Sequence, residues 1–414
     1  MNHPFTDIRR ILVIKLRHIG DVLLTSPVFR ALKETFPEAE VSVLVNGGTE
    51  EVLSGNPFIK EIITFDREIK KAPFVERYKE EIRFLREIRK RSFDMTVDLT
   101  GGDRAAILSF LSGARYRIGW ESRKGLIGKR HLYTHLFRPD GRRHMVLQNL
   151  DVVRHFGIDT EDRSVNFFIP DDARAFVKEI FKKNNLQSSS WLGGTSARLG
   201  AGLQPIVHIH PTSRWLFKCW KDEYMAEIIR WLIDNNAIVI VTSSPDRREM
   251  EKTKKILSLL RDSPDSIFSP VNLRQPPSPI THHPSRIIDL CGKTTIKQLA
   301  AISEASDLFL GVDSAPMHIA AAVGTPVIAL FGPTGAYSWG PWDNSDGGRS
   351  KVNGLRSKHI VIQRDWECVP CGKDGCNGTK ISRCLEDIRP DEVIAHLSLH
   401  LHYISGRIDK ICYR

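Results

Sequence analysis

Residues 11–21 read Ile-Leu-Val-Ile-Lys-Leu-Arg-His-Ile-Gly-Asp: a short β-rich apolar run over 11–16, then a turn through His18, Ile19, Gly20 and Asp21. Apolar positions at Leu23, Val28, Leu32 and Phe36 follow at helical spacing, so the segment reads strand, tight turn, helix. The alternation continues outward with strands at 41–45, 61–65 and 95–99, an amphipathic helix near 74–91, and helices near 103–111 and 144–156. Such a βα series predicts an α/β fold with a mostly parallel sheet covered on both faces. A second series follows: strands at 206–210, 237–242, 308–312 and 327–331, with helices at 223–234, 246–260, 295–303 and 316–323. Between the two series lies QSSSWLGGTSARLGAGLQ, residues 187–204, whose Ser and Gly content predicts a linker. Two doubly wound domains are expected, at 1–186 and 205–389. A C-terminal helix and tail over 390–414 is expected to pack back on the first domain. Six prolines between 263 and 285 predict an exposed loop there.

Composition narrows the function. The chain has 414 residues, 41% apolar and 26% charged, which excludes wholesale disorder and a collagen-like chain. It contains no run of 18 uncharged apolar residues, and MNHPFTDIRR lacks the order of a signal peptide, so a cytoplasmic chain is expected. Seven cysteines in a reducing compartment argue against a disulfide framework. Four of them, Cys368, Cys371, Cys376 and Cys384, match a four-thiolate zinc site by count, but the second pair is spaced loosely for one, and a reduced loop is the plainer reading. A net charge of +11 suggests an anionic partner: nucleic acid, nucleotide, phosphorylated glycan or membrane face. No helix-turn-helix, RNP or OB signature accompanies the charge, which weighs against nucleic acid. Ten Lys and Arg against Glu121 and Asp140 fall between Arg104 and Arg143, either a solvated surface or an anion-binding patch.

Doubly wound sheets bind ligands outside the carboxyl ends of their strands, so the turns there are the candidate sites. The first is Lys15–Asp21, where Asp21 suits either a helix cap or a base. The second, Gly311–His318, runs from a strand into a helix whose first turn holds Pro316. Its free N–H groups and positive dipole suit an anion, and Asp313 suits sugar hydroxyls. His318 reads equally as a core histidine. The third, Thr212–Trp220, places Arg214 and Lys218 beside Trp215 and Trp220, the composition expected around a diphosphate and a ring.

Lys15–Pro27, Asp94–Leu99 with Arg117-Ile118-Gly119, Arg214–Trp220, Asp289–Thr294 and above all VDSAPMHIAAAVGTPVIALFGPT at 312–334 resemble glycosyltransferase family 9, the ADP-heptose:lipopolysaccharide heptosyltransferases. The opening block and the cysteine-bearing tail look most like the core-branch type, heptosyltransferase III. The resemblance implies a GT-B fold, two Rossmann-like domains facing each other across a cleft, with acceptor bound by the first and ADP-sugar by the second. It implies an inverting transfer with Asp21 as general base and Lys218 on the donor phosphates. Asp313 would meet the heptose, the N–H groups from Ser314 through Ala315 and Met317 to His318 the pyrophosphate, and Ser213 and Arg214 the donor. Asp246 or Glu249 would reach the ribose, and Thr294 the adenine pocket. Arg17, His18, Arg104, Arg123, Lys124, Lys129 and Arg130 would bind the acceptor.

The same resemblance implies no cofactor beyond the donor ADP-heptose. The acceptor would be the lipopolysaccharide inner core, met by a monomer peripheral at the cytoplasmic face of the inner membrane. Ser243-Ser244-Pro245 departs from the Gly-Gly pair of many relatives, which bears on the ribose contact, and 263–285 matches no family motif. Other functions compatible with the residues are transfer of a different nucleotide sugar, or nucleotide or nucleic-acid binding without transfer.

Overall fold

The computed structural model describes residues 3–71, 73–121, 125–187, 204–261, 286–345, 348–349, 351–352 and 358–404. The expected linker, save Gln187 and Gln204, and the whole of 263–285 lie outside them, as do Arg123 and Lys124. The chain forms two compact units, Met1–Phe168 and Ile169–Arg414.

The first unit runs β1 (Arg10–Lys15), α1 (Ile19–Leu23), α2 (Ser26–Thr35), β2 (Glu40–Asn46), β3 (Glu61–Phe65), α3 (Phe74–Lys90), β4 (Met95–Asp98), α4 (Asp103–Leu111), β5 (Tyr116–Trp120), β6 (His135–Phe137) and α5 (Met145–Arg154). Its six strands lie in the order β3-β2-β1-β4-β5-β6, and every pair is parallel. Parallel neighbours need crossover helices on both faces, so β1 and β4 are buried along nearly their whole length. The single helix expected after Asp21 is instead two. The Thr25 hydroxyl donates to the Val22 carbonyl at 2.6 Å, and Pro27, which has no N–H, falls in the first turn of α2.

The second unit runs α6 (Asp171–Lys183), β7 (Ile206–His210), α7 (Asp222–Asp234), β8 (Ile238–Val241), α8 (Arg247–Arg261), β9 (Ile287–Asp289), α9 (Ile296–Ala305), β10 (Leu308–Val312), α10 (Ala315–Ala322), β11 (Val327–Phe331), α11 (Ala336–Trp339), β12 (Trp342–Asp343), β13 (Gly348–Arg349), β14 (Lys351–Val352), β15 (His359–Gln363), α12 (Arg383–Glu386) and α13 (Pro390–Ile404). Its main sheet has the order β14-β15-β11-β10-β7-β8-β9, all parallel, beside a two-stranded ribbon of β12 and β13.

The units divide between Phe168 and Ile169, earlier than the linker expected at 187–204. Helix α6 belongs with the second unit: Arg174 donates to both Glu304 oxygens at 2.9 Å on α9. Helix α13 packs on α7 of its own unit, where the sequence reading placed it on the first domain. Val393, Leu397 and Leu401 join the core formed by Ile228, Leu232 and Ile256, and the Trp220 indole donates to the Ile388 carbonyl at 3.0 Å. No described helix is long and apolar enough to cross a membrane.

At the centre of the second sheet, Gly311 faces the Phe309 ring and the His210 carbonyl. A methyl group there would sit 2.7 Å from the ring and 2.9 Å from the oxygen. Backbone cannot yield as a flexible side chain can. We expect Gly311→Ala to cost about 1–3 kcal/mol, measured as a fall in thermal midpoint. An unchanged midpoint would mean that β10 and β7 are not packed this closely.

Candidate functional site: two strand-end crevices

In each sheet two neighbouring strands, β1 and β4 or β7 and β10, send their following crossovers in opposite directions, which opens a crevice beyond their carboxyl ends. The first unit's crevice lies between the turns after β1 and β4. Leu16 donates its N–H to the Thr100 hydroxyl at 2.9 Å, the Arg17 guanidinium donates to the Thr100 carbonyl at 3.1 Å, and the Asn46 amide donates to the Arg17 carbonyl at 3.1 Å. The turn after β4 is built on Asp98. One of its carboxylate oxygens accepts the N–H groups of Thr100 and Gly101 at 2.7 and 3.3 Å, the other the Tyr133 hydroxyl at 2.5 Å. Gly119 is needed because any side chain there would collide with the Tyr133 ring.

Under these turns lies Lys15, 2% exposed, its ammonium donating to the Leu99 carbonyl at 2.8 Å and the Asn149 side chain at 3.0 Å. Burial pushes its pKa down to about 8, against the attraction of Asp21 and Asp98. Burial likewise raises Asp98 and Tyr133 above their ordinary ranges. Asp21 sits half-buried in the middle of α1, and the cap position belongs to His18, so Asp21 is not the N-cap. Its charge acts on the buried Lys15 ammonium.

The other first-unit candidates divide. Arg17 and His18 are exposed beside Asp21. Arg104 lies over the Phe65 ring and pairs with Glu81 at 3.3 Å. Lys129 is 5% exposed, donating to the Gly101 carbonyl at 3.1 Å and pairing with Asp103 at 3.3 Å, which fastens the loop it sits on. Arg130 is exposed and bonds His131.

In the second unit the crevice lies between the turns after β7 and β10, and there Lys218 and Asp313 meet. The Lys218 ammonium donates to the Asp313 carboxylate at 2.7 Å, with Asp313 buried and Lys218 mostly so. Ser314 caps α10, an eight-residue helix with Pro316 in its first turn. Met317 is fully buried against Phe309 and Phe331 and its N–H donates to the Ser314 carbonyl at 3.2 Å, so it offers a ligand nothing directly, and His318 is also buried. Ser213 is buried, its N–H directed to the Cys219 sulfur at 3.2 Å. Arg214 is exposed above the Trp215 ring. Of the two tryptophans expected around a ligand ring, Trp215 is exposed and Trp220 is core.

The two ribose candidates play different parts. Glu249 is 5% exposed and accepts the hydroxyls of Thr212 at 2.8 Å and Ser244 at 2.7 Å, tying the loop after β7 to the loop after β8. Asp246 is exposed and caps α8, accepting the N–H groups of Arg248 and Glu249. Thr294 is half-buried, immediately before the Thr295–Gln298 capping box of α9. Beneath the crevice, His208 bonds Ser303 and Thr242 at 2.8 Å and His210 bonds Thr242 at 2.9 Å, while burial drives His210 down to about 3, so both rings are neutral. Cys368 and Cys371 are exposed thiols, Cys376 is half-buried and Cys384 buried. Among the described residues no group of three or more His, Cys, Asp or Glu gathers to hold a metal.

The sequence reading assigned no role to Lys15, Asp98, Tyr133, Asn149 or Thr212. The visible signal was a charged residue ending an apolar strand, as in Ile-Leu-Val-Ile-Lys and Met-Thr-Val-Asp. A charge buried at a strand end needs several partners, and those are distant in sequence.

Two doubly wound units that share the strand order 3-2-1-4-5, each with a polar crevice at its switch point, are the architecture of a GT-B glycosyltransferase. Residues 82–365 match the model of glycosyltransferase family 9 (heptosyltransferase). The chain is 31% identical over 333 residues to lipopolysaccharide heptosyltransferase 3 of Escherichia coli, covering 80% of this chain and 85% of that protein. The solved structure of a family 9 glycosyl transferase from Veillonella parvula matches with a TM-score of 0.70 over 96% of this chain and 98% of that one, at 19% identity. That of E. coli ADP-heptose heptosyltransferase II matches with a TM-score of 0.66 over 95% and 99%, also at 19% identity. This chain belongs to glycosyltransferase family 9.

The Lys15 site carries a pH signature. A lysine whose pKa is lower in the folded than the unfolded state destabilises the fold while protonated, and the penalty is relieved as pH rises from about 8 to about 10.5. Stability should therefore rise across that window by up to about 3 kcal/mol, and Lys15→Met should abolish that rise. Denaturant unfolding of both proteins at several pH values checks it; parallel curves would place Lys15 in water.

Proposed function

We propose that this protein is an inverting heptosyltransferase that moves a heptose from ADP-L-glycero-D-manno-heptose to the lipopolysaccharide inner core. The observation that carries the reading is the Lys218–Asp313 pair at the mouth of the second crevice, beside the start of α10, in a chain of this family. A diphosphate is suited by the ammonium of Lys218 and by the N–H groups and dipole of α10. A sugar is suited by the Asp313 carboxylate, which accepts hydroxyl hydrogen bonds. Thr294, Ser213, Arg214, Asp246 and the loop tied by Glu249 would surround the nucleoside.

In the transfer, the Asp21 carboxylate takes the proton of the acceptor hydroxyl as its oxygen bonds the anomeric carbon from the face opposite the diphosphate. The bond from that carbon to the β-phosphate oxygen breaks and ADP leaves with the electron pair, its charge offset by Lys218 and α10. The configuration inverts. Arg17, His18 and Arg130 are the exposed groups suited to acceptor phosphates, while Arg104 and Lys129 shape the rim they stand on; Arg123 and Lys124 keep the role inferred from sequence. The acceptor is lipid-borne, so the enzyme works as a monomer peripheral at the cytoplasmic face of the inner membrane.

The decisive experiment is turnover of ADP-heptose with core acceptor, read by mass spectrometry as a gain of one heptose. No gain with any core acceptor would sink the reading. Asp21→Asn should lose about 10²–10⁴ in rate with ADP affinity unchanged; near-normal turnover would remove Asp21 from the chemistry. By calorimetry, Lys218→Ala should weaken ADP, whereas Asp313→Ala should lower turnover without weakening ADP. The opposite pattern would reverse the two assignments. Turnover should persist in chelator, since Lys218 and α10 neutralise the leaving diphosphate; loss restored by magnesium would contradict this.

A further inference from the structure

Helix α3 is longer than the strand it covers. Seventeen residues span about 25 Å, while the five of β3 span about 17 Å. Its last turns are anchored: Ile88, Leu85 and Phe84 pack on the first unit's core, and Arg91 pairs with Glu61 at the start of β3 at 2.8 Å. The surplus length therefore projects at the other end, beyond the carboxyl ends of the strands, which is the edge that carries Asp21.

On that overhang the apolar face has no cover. Phe74 is 78% exposed, Val75 62% and Tyr78 60%, at positions i, i+1 and i+4, with the two rings stacked 6.5 Å apart. A second apolar point stands on the same edge. The Leu126 N–H donates to Asp103 at the start of α4 at 3.0 Å, and Arg104 in the same turn reaches Glu81 on α3, which leaves Leu126 half exposed and Ile127 98% exposed. Charged side chains flank these points with a net excess of cations: Arg77, Lys79, Arg83, Arg86 and Arg130 are exposed, Arg77 and Arg83 are paired with Glu81 and Glu80, and α3 carries six basic residues against four acidic ones.

Aromatic and aliphatic tips flanked by a net excess of cations fit an interface of acyl chains under anionic headgroups. We propose that the start of α3 and the Leu126–Ile127 tip are the surface by which the first unit docks on an anionic lipid bilayer, bringing the edge that bears Asp21 down to a lipid-borne acceptor. The last clause rests on the function proposed above; the docking itself does not. A second copy of this chain is the less suitable occupant, because two surfaces of the same net positive charge would then face each other.

Sedimentation with phosphatidylethanolamine–phosphatidylglycerol vesicles, without donor or acceptor, tests the surface. The double variant Phe74→Ser/Tyr78→Ser and the single variant Ile127→Ser should each reduce vesicle partition, the double by about tenfold. Leu399→Ser, an exposed leucine on α13, should not. Circular dichroism and ADP binding should match the parent, which separates lost docking from lost folding. Turnover should fall for acceptor in vesicles and stay unchanged for delipidated core oligosaccharide. Undiminished vesicle binding by the double variant, or none by the parent, would overturn the proposal, as would a parent dimer that the double variant converts to monomer. A parent that binds vesicles through these residues but transfers no heptose would refute the function and leave the docking surface standing.

Discussion

Everything functional in this chain hangs on parallel strand pairing around two central strands. Because β1 leads to β2 on one side and its neighbour β4 to β5 on the other, and β7 and β10 lead likewise to β8 and β11, the connections after each neighbouring pair part to opposite sides. The gap so opened is lined by backbone groups that have lost their ladder partners, and those must be satisfied by side chains. Asp98 does so for Thr100 and Gly101, and Lys15 for the Leu99 carbonyl. The polar residues under the first crevice are first of all structural, and the chemistry uses the rigidity they create.

The second crevice solves the same problem with neutral groups as well as charged ones. The His208–Thr242–His210 chain ties β7 to the end of β8 without burying a net charge, since both rings are kept neutral by desolvation. Glu249 is the exception, a buried carboxylate whose two oxygens each hold a loop hydroxyl. Such a group is costly to bury without partners and strongly restrains geometry when it has them.

The parts of the fold legible in the sequence were those with an apolar period or a turn signal. Strands β1, β2, β4, β7, β10 and β11 are continuous apolar runs, and the turns at Asp21 and Asp313 follow from them. Strands β5, β6, β9 and β15 went unread because they are short, mixed in polarity or placed by distant partners, such as the Tyr133 ring over Gly119. Charge was the least legible property. The basic stretch from Arg104 to Arg143 reads in sequence as either a solvated surface or an anion-binding patch, and some of it is neither: Arg117 donates to the Ala114 and Leu132 carbonyls and Arg143 pairs with Asp151 at 2.5 Å. Composition counts cations; it does not distinguish one that faces a ligand from one that closes a loop.

The Lys218–Asp313 pair joins these arguments to the proposed reaction. Asp313 is buried, so its carboxylate must always have a donor, and without ligand that donor is Lys218. A diphosphate competes for the same ammonium, and to the extent that it wins, Asp313 is left short of a hydrogen bond. ADP alone supplies no replacement, whereas a nucleotide sugar brings hydroxyls beside the phosphate. In the proposed reaction the two halves of the donor would be coupled through this one ion pair, the sugar satisfying the carboxylate that the diphosphate deprives. Discrimination between the intact donor and its ADP product would then follow from the desolvation of a single buried carboxylate.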